Sequence, residues 1–210
     1  MGYDGMRNTH HLMLADWRRE VTAMFGRLRD EKDPQLAWRD FRRTRDTLLK
    51  QHPQSPLNKG QRESFKNLEY FPYSSNLRLV GMVRPVPEPK TYSIELPAEG
   101  VLRFSQIATI HFDLAGKSSQ LILYWIEGYG GGLFLPFRDA TNGADTFGGG
   151  RYLYDSIKGA DLGAGSETIL LEFNFAYNPS CAYNDRWVCP LAPPDNWLPK
   201  PINAGERTFK

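Results

Sequence analysis

The sequence predicts a mainly β fold, an antiparallel β-barrel or sandwich with an N-terminal two-helix segment. Three observations carry this. Apolar residues recur every three or four positions over the first fifty residues. Beyond Thr91 the period is two, and no helical stretch separates the strand-like segments that follow. Residues 1–54 read as a helical segment packed on a β domain of residues 55–210, which ends in a proline-rich tail.

In the first helix Leu14, Trp17, Val21, Met24, Phe25 and Leu28 form one apolar stripe, with Arg18, Arg19, Glu20, Arg27 and Arg29 between them. Asp33-Pro34 is an N-cap followed by proline at the first helical position. The second helix would present Leu36, Ala37, Phe41, Thr44 and Leu48 along one side, and His52-Pro53 stops it. Ser55 to Gly60 reads as a turn, and Phe65 to Tyr73 as aromatic and irregular. Tyr92, Ile94 and Leu96 alternate with polar residues, as do Ala108, Ile110, Phe112 and Leu114 with a mixed opposite face; both are half-buried strands. Leu121 to Ile126 is apolar on both faces and predicts a central strand. Ile169, Leu171, Phe173 and Phe175 predict another inward row. Pro97 to Gly100 and Ala115 to Lys117 are turn material. Pro190 to Pro201 holds five prolines, which excludes a central strand or a helix there. The tail is expected to lie extended, pinned by Trp187, Leu191 and Trp197.

With 210 residues, 40% of them hydrophobic, the chain can bury a sizeable core. A mean hydropathy of -0.51 and the lack of a long apolar run argue against a membrane span. The first eleven residues contain no apolar h-region, so no secretory signal is expected and the location reads as cytoplasmic. A net charge of +2 does not imply nucleic acid. Residues 1–60 carry 12 Lys and Arg against 8 Asp and Glu, either a solvated helical face or a basic surface for an acidic partner. Two cysteines, Cys181 and Cys189, and four histidines do not make a structural zinc site, and no C-x-x-C pair is present. Largely buried thiols are the expectation, with a disulfide or a nucleophile as the alternatives.

The residues suited to chemistry crowd between Leu133 and Cys189. Gly130–Gly132 and Gly148–Gly150 invite a phosphate-loop reading, yet both lead into strand-like residues rather than a helix, which favours a bulge or tight turn. Asp139, Thr141, Asn142, Asp145 and Thr146 form either a self-capping turn or one side of a site. Asp139 and Arg151 have the types to pair, leaving Thr146 and Tyr152 to meet a ligand. Asn174, Tyr177, Asn178, Tyr183 and Asn184 supply uncharged donors and acceptors, which either tie down the tail or line a pocket. His111 lies on a strand opposite the apolar row, and no G-x-S-x-G elbow exists.

Several of these segments together resemble domain-of-unknown-function family 1684 of bacterial and archaeal proteins. The resemblance rests on Ser55-Pro56-Leu57, Leu68 to Phe71, Phe134 to Gly143, Thr146 to Leu153, Glu172 to Tyr183, Cys189 to Asn196 and Ile202 to Glu206. Glu172 stands where the family more often has the shorter acid. The resemblance implies one unit from near Trp17 to Glu206, and it brings no activity, cofactor or catalytic residue.

The leading expectation is a small polar or anionic ligand at one mouth of the barrel, lined by Asp139, Thr146, Arg151, Tyr152, Asn174, Tyr177, Asn178 and Cys181. The second is a hydrolase using Cys181 or Asp139, which needs a base beside the thiol or a carboxyl held protonated in a dry pocket. The third is an interaction module whose basic helical arm, Arg39, Arg42, Arg43 and Arg45, docks on an acidic partner.

Overall fold

A computed structural model describes residues 4–96 and 100–210. The turn expected at Pro97 to Gly100 falls, at 97–99, outside the described residues. Three helices precede the sheet: α1 (Asp4–Asp30), α2 (Pro34–Gln51) and α3 (Lys59–Ser64). Eight strands follow: β1 (Arg78–Pro85), β2 (Thr91–Leu96), β3 (Gly100–Asp113), β4 (Ser118–Ile126), β5 (Gly132–Asp139), β6 (Arg151–Asp155), β7 (Thr168–Glu172) and β8 (Trp197–Leu198). They form one sheet, antiparallel along the path β6-β5-β4-β3-β1-β7 and curled into a half-barrel. β2 pairs with the first half of β3, leaving its second half to β1. β8 adds a two-residue parallel contact at the end of β5.

The helices form where the stripe and caps dictate. The Asp33 side chain accepts from the backbone N–H of Gln35 and Leu36, satisfying donors that the first turn of α2 leaves unpaired. Val21, Met24, Phe25 and Leu28 of α1 and Ala37, Phe41 and Leu48 of α2 are buried in one core with Ala108, Ile110, Leu121, Leu123, Leu135 and Leu171 of the sheet. Phe41 stacks on Phe175 at 5.0 Å and meets Phe25 edge-on at 6.1 Å. Each such ring or aliphatic chain contributes roughly 1.5–3 kcal/mol by leaving water. No helix among the described residues is long and apolar enough to cross a membrane.

A bulge explains how one strand serves two clusters. Gln106 pairs with Tyr124 and Ala108 with Leu123, so Ile107 is the extra residue and the side-chain alternation reverses there. Before it, Phe104 packs with Tyr124, Ile126, Phe134 and Tyr152 on one side of the sheet. Beyond it, Ala108, Ile110 and Phe112 face the helices.

Several expectations need correction. Leu36 is exposed, because the buried stripe of α2 runs through Ala37, Phe41, Leu48 and Leu49. The turn at Ser55 to Gly60 runs into α3, which Asn58 and Gln61 start with a reciprocal capping box. Phe173 and Phe175 are buried but lie in a 3₁₀ turn, not in a strand, since the Glu172 carboxylate takes the Asn174 N–H and ends β7. Leu191 and Trp197 do not pin the tail, being about half exposed. The buried Asn196, Leu198 and Ile202 hold it instead.

One close approach fixes the helical layer against β6. Gly159 lies in the left-handed region at φ +86°, where a Cβ would stand 2.4 Å from Thr22 Oγ1 and 2.8 Å from Thr22 N of α1. Gly159→Ala is expected to cost at least ~2 kcal/mol in urea denaturation, through backbone strain and displacement of α1.

Candidate functional site

The loop between β5 and β6 is built on itself. Asp139 Oδ1 accepts from Thr141 N at 2.8 Å and Thr141 Oγ1 at 2.6 Å, and Thr141 Oγ1 meets Thr146 Oγ1 at 2.8 Å. Asn142 receives the Asp139 N–H and donates to Thr146 Oγ1 and to the Phe147 carbonyl. Arg151, the first residue of β6, is fully buried. Its Nη2 donates to Asp139 Oδ2 at 2.8 Å and to the Ile202 carbonyl at 3.0 Å. Its Nη1 donates to the Ala204 carbonyl and, at 3.3 Å, to that of Glu206. Asp139 Oδ1 in return accepts the Ile202 N–H at 3.1 Å. Desolvation lowers the Arg151 pKa, with the Asp139 carboxylate opposing it. Asp139, Thr146 and Arg151 therefore sit together in the interior, with the tail backbone as their partner.

Asn174 lies elsewhere. Its Nδ2 donates to the Ser74 carbonyl and the Glu172 carboxylate, and its Oδ1 accepts the Ser74 N–H, so it splices β7 to the segment before β1. Glu172 is buried beside it and also takes Arg78 at 2.8 Å. Desolvation raises the Glu172 pKa above the ordinary 4.5, against the hydrogen bonds from Asn174 and Arg78.

Tyr152, Tyr177 and Asn178 converge on a cavity. It opens between the helices and β6, with Trp17, Val21 and Phe25 of α1 and Arg45 and Leu48 of α2 on one side. Tyr152, Asp155, Tyr177, Asn178, Ser180 and Tyr183 complete the wall, and water centres have about 60 Å³ of space inside. At its base Arg45 Nη2 donates to Glu206 Oε2 at 2.9 Å and to Tyr183 Oη at 2.8 Å. Asn178 Nδ2 donates to Glu206 Oε1 at 3.0 Å, and Tyr183 Oη donates to the same oxygen. The Arg45 guanidinium also lies over the Tyr177 ring at 4.8 Å. Among the described residues, two buried polar atoms of this wall have no hydrogen-bond partner, the donor Arg45 Nε and the acceptor Asn178 Oδ1; the buried Tyr70 hydroxyl near Arg45 is likewise unpartnered. Lys158 reaches Asp155 at 3.3 Å.

Cys181 follows Ser180 in a 3₁₀ turn and is half-buried, as is Cys189; both thiols are free. The Cys181 backbone N–H donates to Cys189 Sγ at 3.4 Å, and no hydrogen bond joins the Cys181 thiol to a His, Asp or Glu among the described residues. The basic arm is likewise divided: Arg45 lies in the cavity wall with 12% of its side chain exposed, Arg42 lies over the Trp38 and Tyr70 rings, and Arg43 pairs with Asp40. Sequence reasoning placed Arg45 on an exposed face and gave Glu206 no role. The signal was present, since Arg45 follows Ala37 and Phe41 at intervals of four and so stands inside the apolar stripe.

The family model for Protein of unknown function (DUF1684) matches residues 63–207. The chain belongs to that family. The chain is also similar to the solution NMR structure of an uncharacterized protein from Haloarcula marismortui, at 32% identity and a TM-score of 0.62, over 85% of this chain and 96% of that one. No curated protein matches the sequence. The family match begins at residue 63, so α1, α2 and the Arg45 side of the cavity lie outside it.

Two outcomes are expected. Asp139→Asn strands the Arg151 charge and should lower stability by about 3–5 kcal/mol in urea, against ~0–1 kcal/mol for Asp145→Asn on the half-exposed Arg207 pair. Because the folded-state pKa of Glu172 is raised, its contribution is fully present below the ordinary 4.5 and is lost as pH rises through the folded value. Wild type should therefore lose stability relative to Glu172→Gln over that interval, measured by denaturation at stepped pH.

Proposed function

We propose that this protein binds a small, uncharged polar molecule in the cavity between α1, α2 and β6. The observation that carries the reading is the pair of unpartnered buried atoms, Arg45 Nε and Asn178 Oδ1, on two residues that line the cavity. A buried donor and acceptor each cost free energy until something supplies the complementary group. A ligand with one acceptor and one donor, such as a primary amide, completes both. Ordered water would do the same chemistry, and a ligand displaces it.

Charge and size narrow the class. Arg45 is matched by Glu206 and Lys158 by Asp155, so an entering anion meets cations whose charge is already balanced. Space of about 60 Å³ for water centres holds roughly four water-sized groups, enough for a small amide or for the head of a longer molecule. The apolar side, Trp17, Val21, Phe25 and Leu48, suits a methyl or methylene body. Asp139, Thr146 and Arg151 act in this reading as the support of the tail, and Glu206 of that tail holds Arg45 and Asn178 in position.

Acetamide and acetate, equal in heavy atoms, make the test. In NMR titrations at millimolar concentration, acetamide should shift the Asn178 side-chain amide and Arg45 Nε–H resonances, and acetate should do so roughly tenfold more weakly. Val21→Phe, which fills the cavity from α1, should abolish the shifts while the spectrum stays dispersed; Ser180→Leu serves if that variant unfolds. Shifts that persist in the filled variant, or that neither probe produces, overturn the reading. A stronger response to acetate overturns the uncharged class.

A further inference from the structure

The two cysteines stand apart from the cavity chemistry and are arranged for a reaction of their own. Cys181 sits in the 3₁₀ turn Ser180–Ala182, held by Ala182 N to the Pro179 carbonyl and Tyr183 N to the Ser180 carbonyl. Tyr183 is anchored to Glu206, so this arm is fixed to the body of the fold. Cys189 precedes Pro190, whose carbonyl accepts the Tyr152 hydroxyl at 2.5 Å, so the second arm is anchored to β6. Between the two anchors the Cys181 N–H donates to Cys189 Sγ at 3.4 Å, which brings the two residues together. Both sulfurs belong to partly exposed residues, within reach of a small reagent.

The surroundings make the two sulfurs unequal. Cys189 accepts from the Cys181 thiol and from backbone N–H groups and lies near the Lys158 charge, which together bring its pKa down to about 6 against the opposing effect of burial. Cys181 is pushed up, first by serving as the donor to Cys189 and then by burial. Facing the pair from β6 and from the segment after the Phe173–Phe175 turn are Tyr152 and Tyr177, with Asp155 behind them. A sulfur that accepts the backbone N–H of a second cysteine has both thiols side by side, the arrangement disulfide exchange requires.

We propose that Cys181 and Cys189 form a reversible thiol–disulfide exchange site for a low-molecular-weight disulfide, with Cys189 as the attacking sulfur and Cys181 as the resolving one. The Cys189 thiolate attacks one sulfur of RSSR, forming a mixed disulfide and expelling RS⁻, which takes up the proton Cys189 has given to solvent. Cys181 then loses its proton and attacks Cys189 Sγ, forming the Cys181–Cys189 bond and expelling the second RS⁻, which is protonated in turn. Two protein thiols are oxidised by two electrons, and one RSSR is reduced to two RSH. The bond ties the 180–182 turn to the start of the proline-rich tail, closing a short loop across Ala182 to Val188.

Oxidised glutathione is the probe, applied to the reduced full chain at graded ratios to reduced glutathione, followed by alkylation and peptide mass spectrometry. Both thiols should disappear together, with a Cys181–Cys189 cross-linked peptide that reduced glutathione reverses. Cys181→Ser should stop at a glutathione adduct on Cys189, and Cys189→Ser should slow reaction at neutral pH at least ~tenfold. Thiols that stay fully alkylatable in excess oxidised glutathione overturn the proposal, as do two serine variants that react equally fast. If a serine variant fails to fold, per-site alkylation rates of the reduced wild type decide the order, and equal rates overturn it.

Discussion

The fold depends on a charge placed where water cannot reach it. Arg151 opens β6 with its guanidinium fully buried, and dry surroundings penalise such a group heavily unless its donors are met. Asp139, brought opposite by the 140–150 loop, supplies one carboxylate oxygen. The remaining acceptors are the carbonyls of Ile202, Ala204 and Glu206. Those carbonyls belong to the last segment of the chain to be reached in sequence, more than fifty residues on. The sheet and the tail are therefore conditions of each other.

The same short segment has a second attachment. While the Glu206 backbone accepts from Arg151, its carboxylate faces the other way and gathers Arg45, Asn178 and Tyr183. One residue thus joins the half-barrel to α2. Gly205 makes the sharp passage possible: its φ is +76°, and a Cβ there would lie 2.7 Å from the Ala176 carbonyl. The uncharged polar residues act in the same spirit. Asn196 donates to the Ile122 and Pro136 carbonyls and accepts the Ile122 N–H, filling a ladder position that a backbone strand would otherwise fill. Asn174 and Asn178 do this at two other seams, and Asn178 keeps one oxygen free on the cavity wall.

How much of this could be read from the residues alone differs by element. The α1 and α2 stripes, the Asp33 cap, the alternation in β2 and β3 and the central place of β4 all follow from local period, and period is written in neighbouring positions. β1 escaped because the fully buried position of its core-facing row, between Leu79 and Val83, is Gly81, which carries no side chain to mark the pattern. A Cβ there would stand 2.3 Å from Ile110 Cγ2, so the neighbour supplies the bulk. The prolines of the tail told correctly that no central strand or α-helix could form; only a 3₁₀ turn at Pro194–Asn196 and the two-residue β8 lie there. They did not tell which residues would be gripped, because Asn196 is held by hydrogen bonds that have no apolar signature, whereas Leu191 and Trp197 look like anchors and face solvent. The Asp139–Arg151 pair is legible from residue types at short separation. The Arg45–Glu206 pair spans 161 positions and joins a helix to a tail, so only the oddity of an arginine in an apolar stripe hints at it.

The tail's attachment also orders assembly in time. Contacts between residues 202–206 and Arg151 or Arg45 close some of the longest loops in the molecule, and such closures come late because chain entropy resists them. Until they form, an arginine side chain must stay hydrated at a place where the finished protein is dry, so β6 can seat itself fully only as the tail arrives. Residues 202–206 behave as a keystone, since the interior around Arg151 is complete only when they are in place.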